Sequence, residues 1–118
     1  MLIKLLYSRR IKVERFIHDI WNEQKSGKYL AFESGGLRYV VVMVGCNHKD
    51  IAEWVWKQNP DEKLRVVGGG YFSYEKEGKK IELNDLSGDF GAERDRRKSA
   101  EVVKIAFPEW EVSFSERD

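Results

Sequence analysis

The chain has 118 residues, which is long enough to bury one hydrophobic core without disulfides or a structural metal. Hydrophobic residues make up 42% and charged residues 35%, the balance of an ordinary globular protein. The net charge of +1 argues against nucleic acid as a partner, because proteins that bind it carry a clear basic excess. We therefore predict one domain over residues 1–118, which acts as a cytoplasmic monomer.

Membrane, disulfide and metal classes are also disfavoured. No apolar run approaches the roughly 20 residues of a membrane-spanning helix, and the apolar residues 1–6 are too few for a signal peptide. The single cysteine, Cys46, excludes an intrachain disulfide and a cysteine-rich zinc site. The histidines, His18 and His48, are not spaced as metal ligands, so we predict no metal and no cofactor. Cys46 is expected to be a small buried hydrophobe, with a catalytic thiol as the alternative.

The first predicted element is an amphipathic helix over residues 11–24. Its apolar residues recur at helical spacing, and we expect it to pack on a sheet through Phe16, Ile20 and Trp21. His18 lies outside this apolar stripe and is expected to be exposed.

A β-hairpin is predicted next. Residues 28–33 are predicted as a strand with Tyr29, Ala31 and Glu33 on one side and Leu30 and Phe32 on the other, a turn follows at 34–36, and an apolar strand continues over 37–44. The valine-rich run at 40–44 does not alternate, which is typical of a central strand covered on both faces.

A second helix is predicted over residues 47–58 after a tight turn. Asn47 is a good N-cap, and Asp50, three residues later, completes a variant capping box. His48 then lies in the first helical turn, where free backbone N–H groups and the positive end of the dipole suit an anion. The dipole favours a neutral imidazole, which can act as a base or a nucleophile. A solvated surface histidine is the alternative interpretation.

The second half of the chain contains three consecutive glycines, Gly68, Gly69 and Gly70. We interpret them as a break between two short strands, at a place where the backbone bends or where another group approaches it closely. The remaining elements are predicted as strands at 64–67, 71–74, 79–84 and 109–114 and a helix at 92–107. This order predicts an α+β fold with a mixed sheet of five to six strands and helices on both faces.

Two polar segments precede or open the last helix. The tripeptide Ser87-Gly88-Asp89 has the small residues of an anion-binding nest, although a flexible turn has the same composition. A basic run then alternates with acidic residues. We interpret this run as a solvated helix face, with a docking surface for an acidic partner as the alternative; its members are Arg94, Arg96, Arg97 and Lys98.

Four features occur in a fixed order along the chain: the glycine triplet, a Lys-Lys-Ile strand at 79–81, a Ser-x-x-aromatic-Gly loop at 87–91, and an aromatic-Pro-x-aromatic-Glu-Val ending within 107–114. In this order and spacing the sequence resembles the 14-kDa phosphohistidine phosphatases, with their Janus and Ocnus relatives. The resemblance begins at Lys28, and residues 1–27 do not clearly match.

The resemblance implies a metal-independent phosphatase that acts on phosphohistidine or phospholysine in proteins or on a small phosphoramidate. It implies that His48, followed by Lys49-Asp50-Ile51, is the catalytic residue, as base or nucleophile. It further implies phosphoryl contacts from Lys28, which precedes a tyrosine, and from the loop Ser87-Gly88-Asp89, partly through its backbone. Lys49, beside the histidine, joins this expected phosphate-binding set.

Two departures from the family pattern lead to an alternative function. Members of the family have arginines where this chain has Val40 and Tyr71. Arg38 points to the same strand face as residue 40, so we expect it to substitute as a phosphate contact. The missing arginines favour a non-catalytic module that keeps the fold and binds phosphate or a phosphorylated protein. His48, Lys28 and the glycine triplet favour the enzyme.

Overall fold

The computed structural model describes residues 2–6, 12–14, 26–43, 46–75 and 77–115. Within these ranges the chain forms seven strands and two helices. In chain order they are β1 (Leu2–Leu6), β2 (Lys12–Glu14), β3 (Ser26–Ser34), β4 (Leu37–Met43), α1 (His48–Gln58), β5 (Arg65–Glu75), β6 (Lys80–Asn84), α2 (Arg96–Ala106) and β7 (Glu111–Phe114).

All the strands belong to one mixed sheet, in the order β2-β1-β4-β3-β5-β6-β7. Neighbouring strands are antiparallel except β6 and β7, which pair in parallel. The predicted α+β class is therefore confirmed. No helix among the described residues is long and apolar enough to cross a membrane.

The N-terminal prediction is wrong where the structure tests it. Residues 12–14 form strand β2 instead of part of a helix, and residues 2–6 form strand β1, which raises the number of strands above the predicted five to six. Strand β1 pairs with the edge of β4, and this long-range pairing overrides the helical spacing of the sequence. The rest of the predicted helix, with His18, Phe16, Ile20 and Trp21, lies outside the described residues.

The predicted hairpin of β3 and β4 is confirmed, and its turn explains the paired glycines. Gly35 and Gly36 both have positive φ, 58° and 79°. Two successive positive φ angles match the right-handed twist of the flanking strands, and glycine adopts them without strain. Residues Lys28 to Ser34 pair with Met43 to Leu37 in continuous register.

The glycine triplet does not break the sheet, contrary to one interpretation of the sequence. Strand β5 runs unbroken from Arg65 to Glu75. The pairing with β3 shifts register between Ala31 and Phe32, opposite Gly68, whose φ is +135°. A bulge of this kind absorbs an irregular residue while the ladder continues. The triplet therefore serves close approach, one of the two roles expected for it.

Each helix packs against its own set of strand residues. Successive residues of a strand point to opposite faces, and Tyr29 and Leu30 accordingly belong to different hydrophobic clusters. The cluster around α1 comprises Leu30, Phe32, Val41, Ile51, Ala52, Val55 and Leu64. The cluster around α2 includes Tyr29, Val40, Val42, Phe72, Leu83, Val103 and Ala106.

Candidate functional site

His48 is the first residue of α1, as predicted from its flanking residues. The Asn47 side chain accepts a hydrogen bond from the Asp50 amide at 2.9 Å, and the Asp50 carboxylate accepts one from the Asn47 amide at 3.2 Å. This capping box fixes where the helix begins. His48 is only 4% exposed and belongs to neither hydrophobic cluster, so it is not the solvated histidine of the alternative interpretation.

One hydrogen bond decides the protonation pattern of His48. Its Nε2 lies 2.8 Å from the carbonyl oxygen of Gly70. A carbonyl only accepts, so Nε2 carries the hydrogen and donates it, and Nδ1 of the neutral ring is left with a lone pair. Burial lowers the pKa of His48 below its usual value of 6.5, and the charge of Lys28 lowers it further, against the Gly70 bond and Asp89, which raise it. The ring therefore has an unprotonated Nδ1 near neutral pH.

The glycine triplet brings the Ser87 loop beside His48. The Gly69 carbonyl accepts a hydrogen bond from the Ser87 amide at 3.1 Å, while its amide donates to the Gly91 carbonyl at 2.9 Å. The next residue, Gly70, holds His48. Adjacent residues of β5 thus fix the start of α1 and the loop before α2, which are far apart in sequence.

Within that loop, the Ser87 side chain has a structural contact. Its hydroxyl accepts a hydrogen bond from the Phe90 amide at 3.1 Å, and its carbonyl accepts one from Gly91 at 2.8 Å. Ser87 is buried, whereas Gly88 and Asp89 form an exposed turn. The Ser87 hydroxyl is therefore engaged within the loop, and the exposed residues of this segment are Gly88 and Asp89.

Lys28 and Tyr71 line an open pocket; His48 is not one of its lining residues, but its ring contacts that of Tyr71. The Lys28 Nζ lies 6.0 Å from the centre of the Tyr71 ring, which is itself 6.0 Å from the His48 ring in an edge-to-face arrangement. The pocket has a volume of about 480 Å³ and is lined by Ser26, Gly27, Lys28, Cys46, Asn47, Asp50 and Tyr71. A cation, an aromatic ring and the start of α1 therefore meet at one place.

Arg38 is placed elsewhere, and the expectation that it replaces a phosphate-binding arginine is not supported. Its guanidinium bonds the Glu33 carboxylate at 2.9 and 3.1 Å and the Ser99 hydroxyl at 2.9 Å. Arg38 shares a strand face with Val40 and the α2 cluster, whereas Lys28 precedes Tyr29 and so points to the other face. The alternation of side chains along β4 correctly predicted that residues 38 and 40 share a face of the sheet. It could not predict that the pocket lies on the other face.

The main group that the sequence analysis missed is a buried ion pair between Glu93 and Arg96. The Arg96 Nε donates to the Glu93 carboxylate at 2.9 Å, and the side chains are 1% and 0% exposed for Arg96 and Glu93 respectively. The interpretation of residues 94–98 as a solvated face is therefore wrong for Arg96, although Arg97 and Lys98 are exposed. A signal existed, because Arg96 is spaced three, four and seven residues before the buried positions 99, 100 and 103.

The same region shortens the predicted helix. Helix α2 begins at Arg96 and not at residue 92, because Asp95 adopts a left-handed backbone with φ of 52°. Helical geometry cannot pass through that conformation. The four residues before α2 instead place Glu93 against Gly68 of β5 and within hydrogen-bond distance of the Tyr29 hydroxyl.

Cys46 is half-buried and packs against the α1 cluster. Burial raises the pKa of its thiol, and the nearby Asp50 raises it further, so the thiol stays protonated and is a weak nucleophile. In the part of the chain that the structure describes, no group of three or more His, Cys, Asp or Glu side chains is placed to hold a metal ion.

No protein-family model matches the sequence, and no curated protein matches it at a significant level. The resemblance to the phosphohistidine phosphatases thus depends on the ordered sequence features alone. The function is therefore argued from the geometry around His48.

Proposed function

We propose that this protein is a cytoplasmic, metal-independent phosphatase that hydrolyses phosphoramidates, with phosphohistidine or phospholysine in proteins as its substrates. The observation that carries the proposal is the hydrogen bond from His48 Nε2 to the Gly70 carbonyl. Together with the lowered pKa of His48, it supplies a neutral imidazole whose Nδ1 has an available lone pair. That atom is the base or the nucleophile of the reaction.

The phosphoryl group would be held by backbone donors and one lysine. In the first turn of α1, the Asp50 amide is used by the N-cap and the Ile51 amide by the Asn47 carbonyl. The amides of His48 and Lys49 precede them and have no partner within the helix. Lys28 adds a positive charge to the pocket that Asn47 and Asp50, at the start of α1, also line. Such donors favour the charge that develops in phosphoryl transfer.

Two routes fit a histidine of this kind. In the first, water attacks phosphorus while Nδ1 of His48 takes its proton, the P–N bond breaks, the leaving nitrogen takes a proton from solvent, and Nδ1 returns its own proton to solvent. In the second, Nδ1 attacks phosphorus, the P–N bond breaks as the leaving nitrogen takes a proton from solvent, and water then cleaves the new P–N bond of phosphorylated His48 and releases a proton to solvent. Both consume one water and release inorganic phosphate and the free amine or imidazole.

A non-catalytic module that binds a phosphorylated partner is the second candidate. The observation in its favour is the charge around the pocket. Lys28 is accompanied by the carboxylate of Asp50, and Asp89 is near enough to influence His48. Arg38, the expected additional cation, is engaged with Glu33. Among the described residues that line the pocket, Lys28 is the only lysine or arginine, and a site with so few cations binds phosphate less strongly than a site with several arginines.

Phosphate release from phosphohistidine and phospholysine in the presence of EDTA tests the proposal. We expect turnover by the wild-type protein and none above background by His48→Ala, with both proteins folded by circular dichroism. Cys46→Ala is the matched control, because Cys46 lines the same pocket and its thiol is protonated; it should keep full activity. If the wild type turns over no substrate but binds phosphate, and His48→Ala binds it equally well, the binding module is the correct function.

A further inference from the structure

The buried network around Arg96 lies on the other side of the sheet from the pocket. Arg96 extends from the start of α2, whose cluster contains Tyr29, and its guanidinium carbon lies 5.8 Å from the centre of the Tyr29 ring. Lys28 and Tyr71 precede Tyr29 and Phe72 of that cluster, so they point to the opposite face, where the Tyr71 ring contacts His48 of α1. The Arg96 network therefore does not contact the pocket directly. Any effect of Arg96 on the pocket must be transmitted through strand β5, which carries Gly69 and Gly70.

Arg96 contacts both backbone segments that hold the candidate site. One guanidinium nitrogen, Nη2, lies 2.6 Å from the Asp85 carbonyl and 3.4 Å from the Gly69 carbonyl. Asp85 lies two residues before Ser87, and the Gly69 carbonyl is the acceptor for the Ser87 amide. The remaining donors bond the Ser115 carbonyl at 2.7 Å and the Glu93 carboxylate at 2.9 Å. The Arg96 side chain thus bonds both the glycine triplet, at Gly69, and the segment that leads into the Ser87 loop, at Asp85.

The absence of side chains in the triplet makes this contact possible. A Cβ at Gly70 would lie 3.1 Å from Nη2 of Arg96 and would collide with the carbonyl oxygen of Asn84. A Cβ at Gly68 would collide with the backbone of Ala92 and Glu93. The glycines therefore admit the Glu93–Arg96 pair and its chain segment against β5, while the Gly70 carbonyl bonds His48.

The Glu93 carboxylate, like the Arg96 guanidinium, has several hydrogen-bond partners. Its carboxylate accepts hydrogen bonds from the Tyr29 hydroxyl, Arg96 Nε and the Ser99 hydroxyl, each at 2.9 Å. Burial raises the pKa of Tyr29, as does the charge of Glu93, so the phenol stays protonated and donates. Burying a charged pair involves a desolvation penalty that often offsets its attraction, so stability alone is a weak reason for this network.

We propose that Arg96, held by Glu93, is a positioning residue that fixes the glycine triplet and the Ser87 loop and, through the Gly70 carbonyl, orients the His48 ring. This inference rests on the proposed function for its catalytic consequence. The structural claim, that Arg96 maintains the hydrogen bond between His48 Nε2 and the Gly70 carbonyl, does not depend on any activity. Misplacement of a reacting group by about 1 Å lowers rates by up to roughly a hundredfold, so such positioning matters for turnover.

The test compares two buried arginines, through Arg96→Lys and Arg38→Lys in the full chain. Arg38 is the matched control because it joins the same network through Ser99 but bonds Glu33 and the backbone of residues 94 and 95, not the triplet or the loop. Both substitutions keep a positive charge and lose the guanidinium fork, so both should lower the melting temperature.

Exchange of the His48 Nε2 proton with water, followed by ¹⁵N NMR, distinguishes the two variants. We expect the proton to exchange slowly in the wild type and in Arg38→Lys, and about tenfold or more faster in Arg96→Lys. In Arg96→Lys, kcat for phosphohistidine should fall by about tenfold or more, with KM nearly unchanged. Should Arg96→Lys fail to fold, Tyr29→Phe, which removes one hydrogen bond to Glu93, should show the faster exchange instead.

Equal exchange in the Arg96 and Arg38 variants, or rapid exchange in the wild type, would overturn the positioning role and leave the network a purely structural one. If Arg96→Lys does not fold, unchanged exchange in Tyr29→Phe would do the same. The exchange measurement needs no turnover. A wild-type protein that hydrolyses no phosphoramidate therefore contradicts the proposed function, and the NMR comparison still decides whether Arg96 orients His48.

Discussion

Lys28 and Tyr71 are register partners across strands β3 and β5, and the lysine ammonium lies 6.0 Å from the centre of the tyrosine ring. The face of an aromatic ring attracts a cation at this distance. The same ring meets His48 edge to face. Tyr71 thus lies between Lys28 and His48, at the position where the family resemblance implies an arginine.

Tyr71→Arg should strengthen the site if the protein is a weakened phosphatase. The new guanidinium would add charge-assisted hydrogen bonds to the phosphoryl group, so we expect kcat/KM for phosphohistidine to rise by about tenfold. Steady-state assays of phosphate release measure this. Tyr71→Phe, which keeps the ring beside Lys28, is the control and should stay near the wild-type value. A Tyr71→Arg protein that binds phosphate no better than Tyr71→Phe would contradict the expectation.

Lys28→Ala should weaken turnover without abolishing it. Loss of one charge contact costs about 1.5–3 kcal/mol, and the backbone donors of α1 remain. The decrease should appear in kcat/KM and diminish with added salt, because the contact is electrostatic. Lys57→Ala removes an exposed lysine from the last turn of the same helix and serves as the control. Equal losses in both variants would indicate a general charge effect and not a contact in the pocket.

Activity should persist to lower pH than an ordinary histidine allows. Burial lowers the pKa of His48, so its Nδ1 stays unprotonated below the usual value of 6.5, and activity falls only when pH passes through the lowered pKa. A profile of kcat/KM against pH should show this fall in activity on its acidic side. The rate measured with His48→Ala corrects for spontaneous hydrolysis of the substrate. An acidic limb at or above the ordinary histidine pKa would rule out the buried neutral ring as the reactive group.

The same pKa shift predicts how the stability of the fold depends on pH. Between the lowered pKa of the folded state and the ordinary value of the unfolded state, the unfolded chain binds more protons at residue 48. Its contribution to the free energy of unfolding therefore falls as pH decreases through this window. Denaturant titrations across the window should show a smaller decrease for His48→Ala than for the wild type.

Gly70→Ala should destabilise the protein strongly. A Cβ there would meet the carbonyl oxygens of Asn84 and Asp85 as well as Arg96, and two of these atoms belong to rigid backbone. We expect a loss of more than about 2 kcal/mol in the free energy of unfolding, measured by urea denaturation. Gly88→Ala is the control, since nothing lies within 4 Å of its Cβ position. Similar midpoints for the two variants would show that β5 yields to the added methyl group.

Sequence patterns predicted best what neighbouring residues determine. Asn47 and Asp50 are three residues apart, and this spacing alone placed the start of α1 and His48 within it. The pair Gly35-Gly36 likewise gave the hairpin, because positive φ is a local requirement. These elements need no information about the rest of the fold.

Contacts between distant segments were not predictable in the same way. The pairing of β1 with β4 depends on a free strand edge, which residues 2–6 do not reveal by themselves. Arg96 looks like a surface residue in its basic run, and its burial depends on Glu93, Asp85 and the vacant side-chain positions of the triplet. The Arg38–Glu33 pair, by contrast, spans the predicted hairpin, because the two residues are register partners on either side of its turn.

The parallel pairing of β6 with β7 has a consequence for the order of folding. The hairpin of β3 and β4 closes across two glycines, so it can form early and locally. Strand β7 can pair with β6 only after the intervening chain, with α2, has crossed over, and this closure is entropically slower. The bond from Arg96 to the Ser115 carbonyl, just beyond β7, should form in that last step. Strands β1 to β6 can therefore pair before β7 and the Arg96–Ser115 contact complete the sheet.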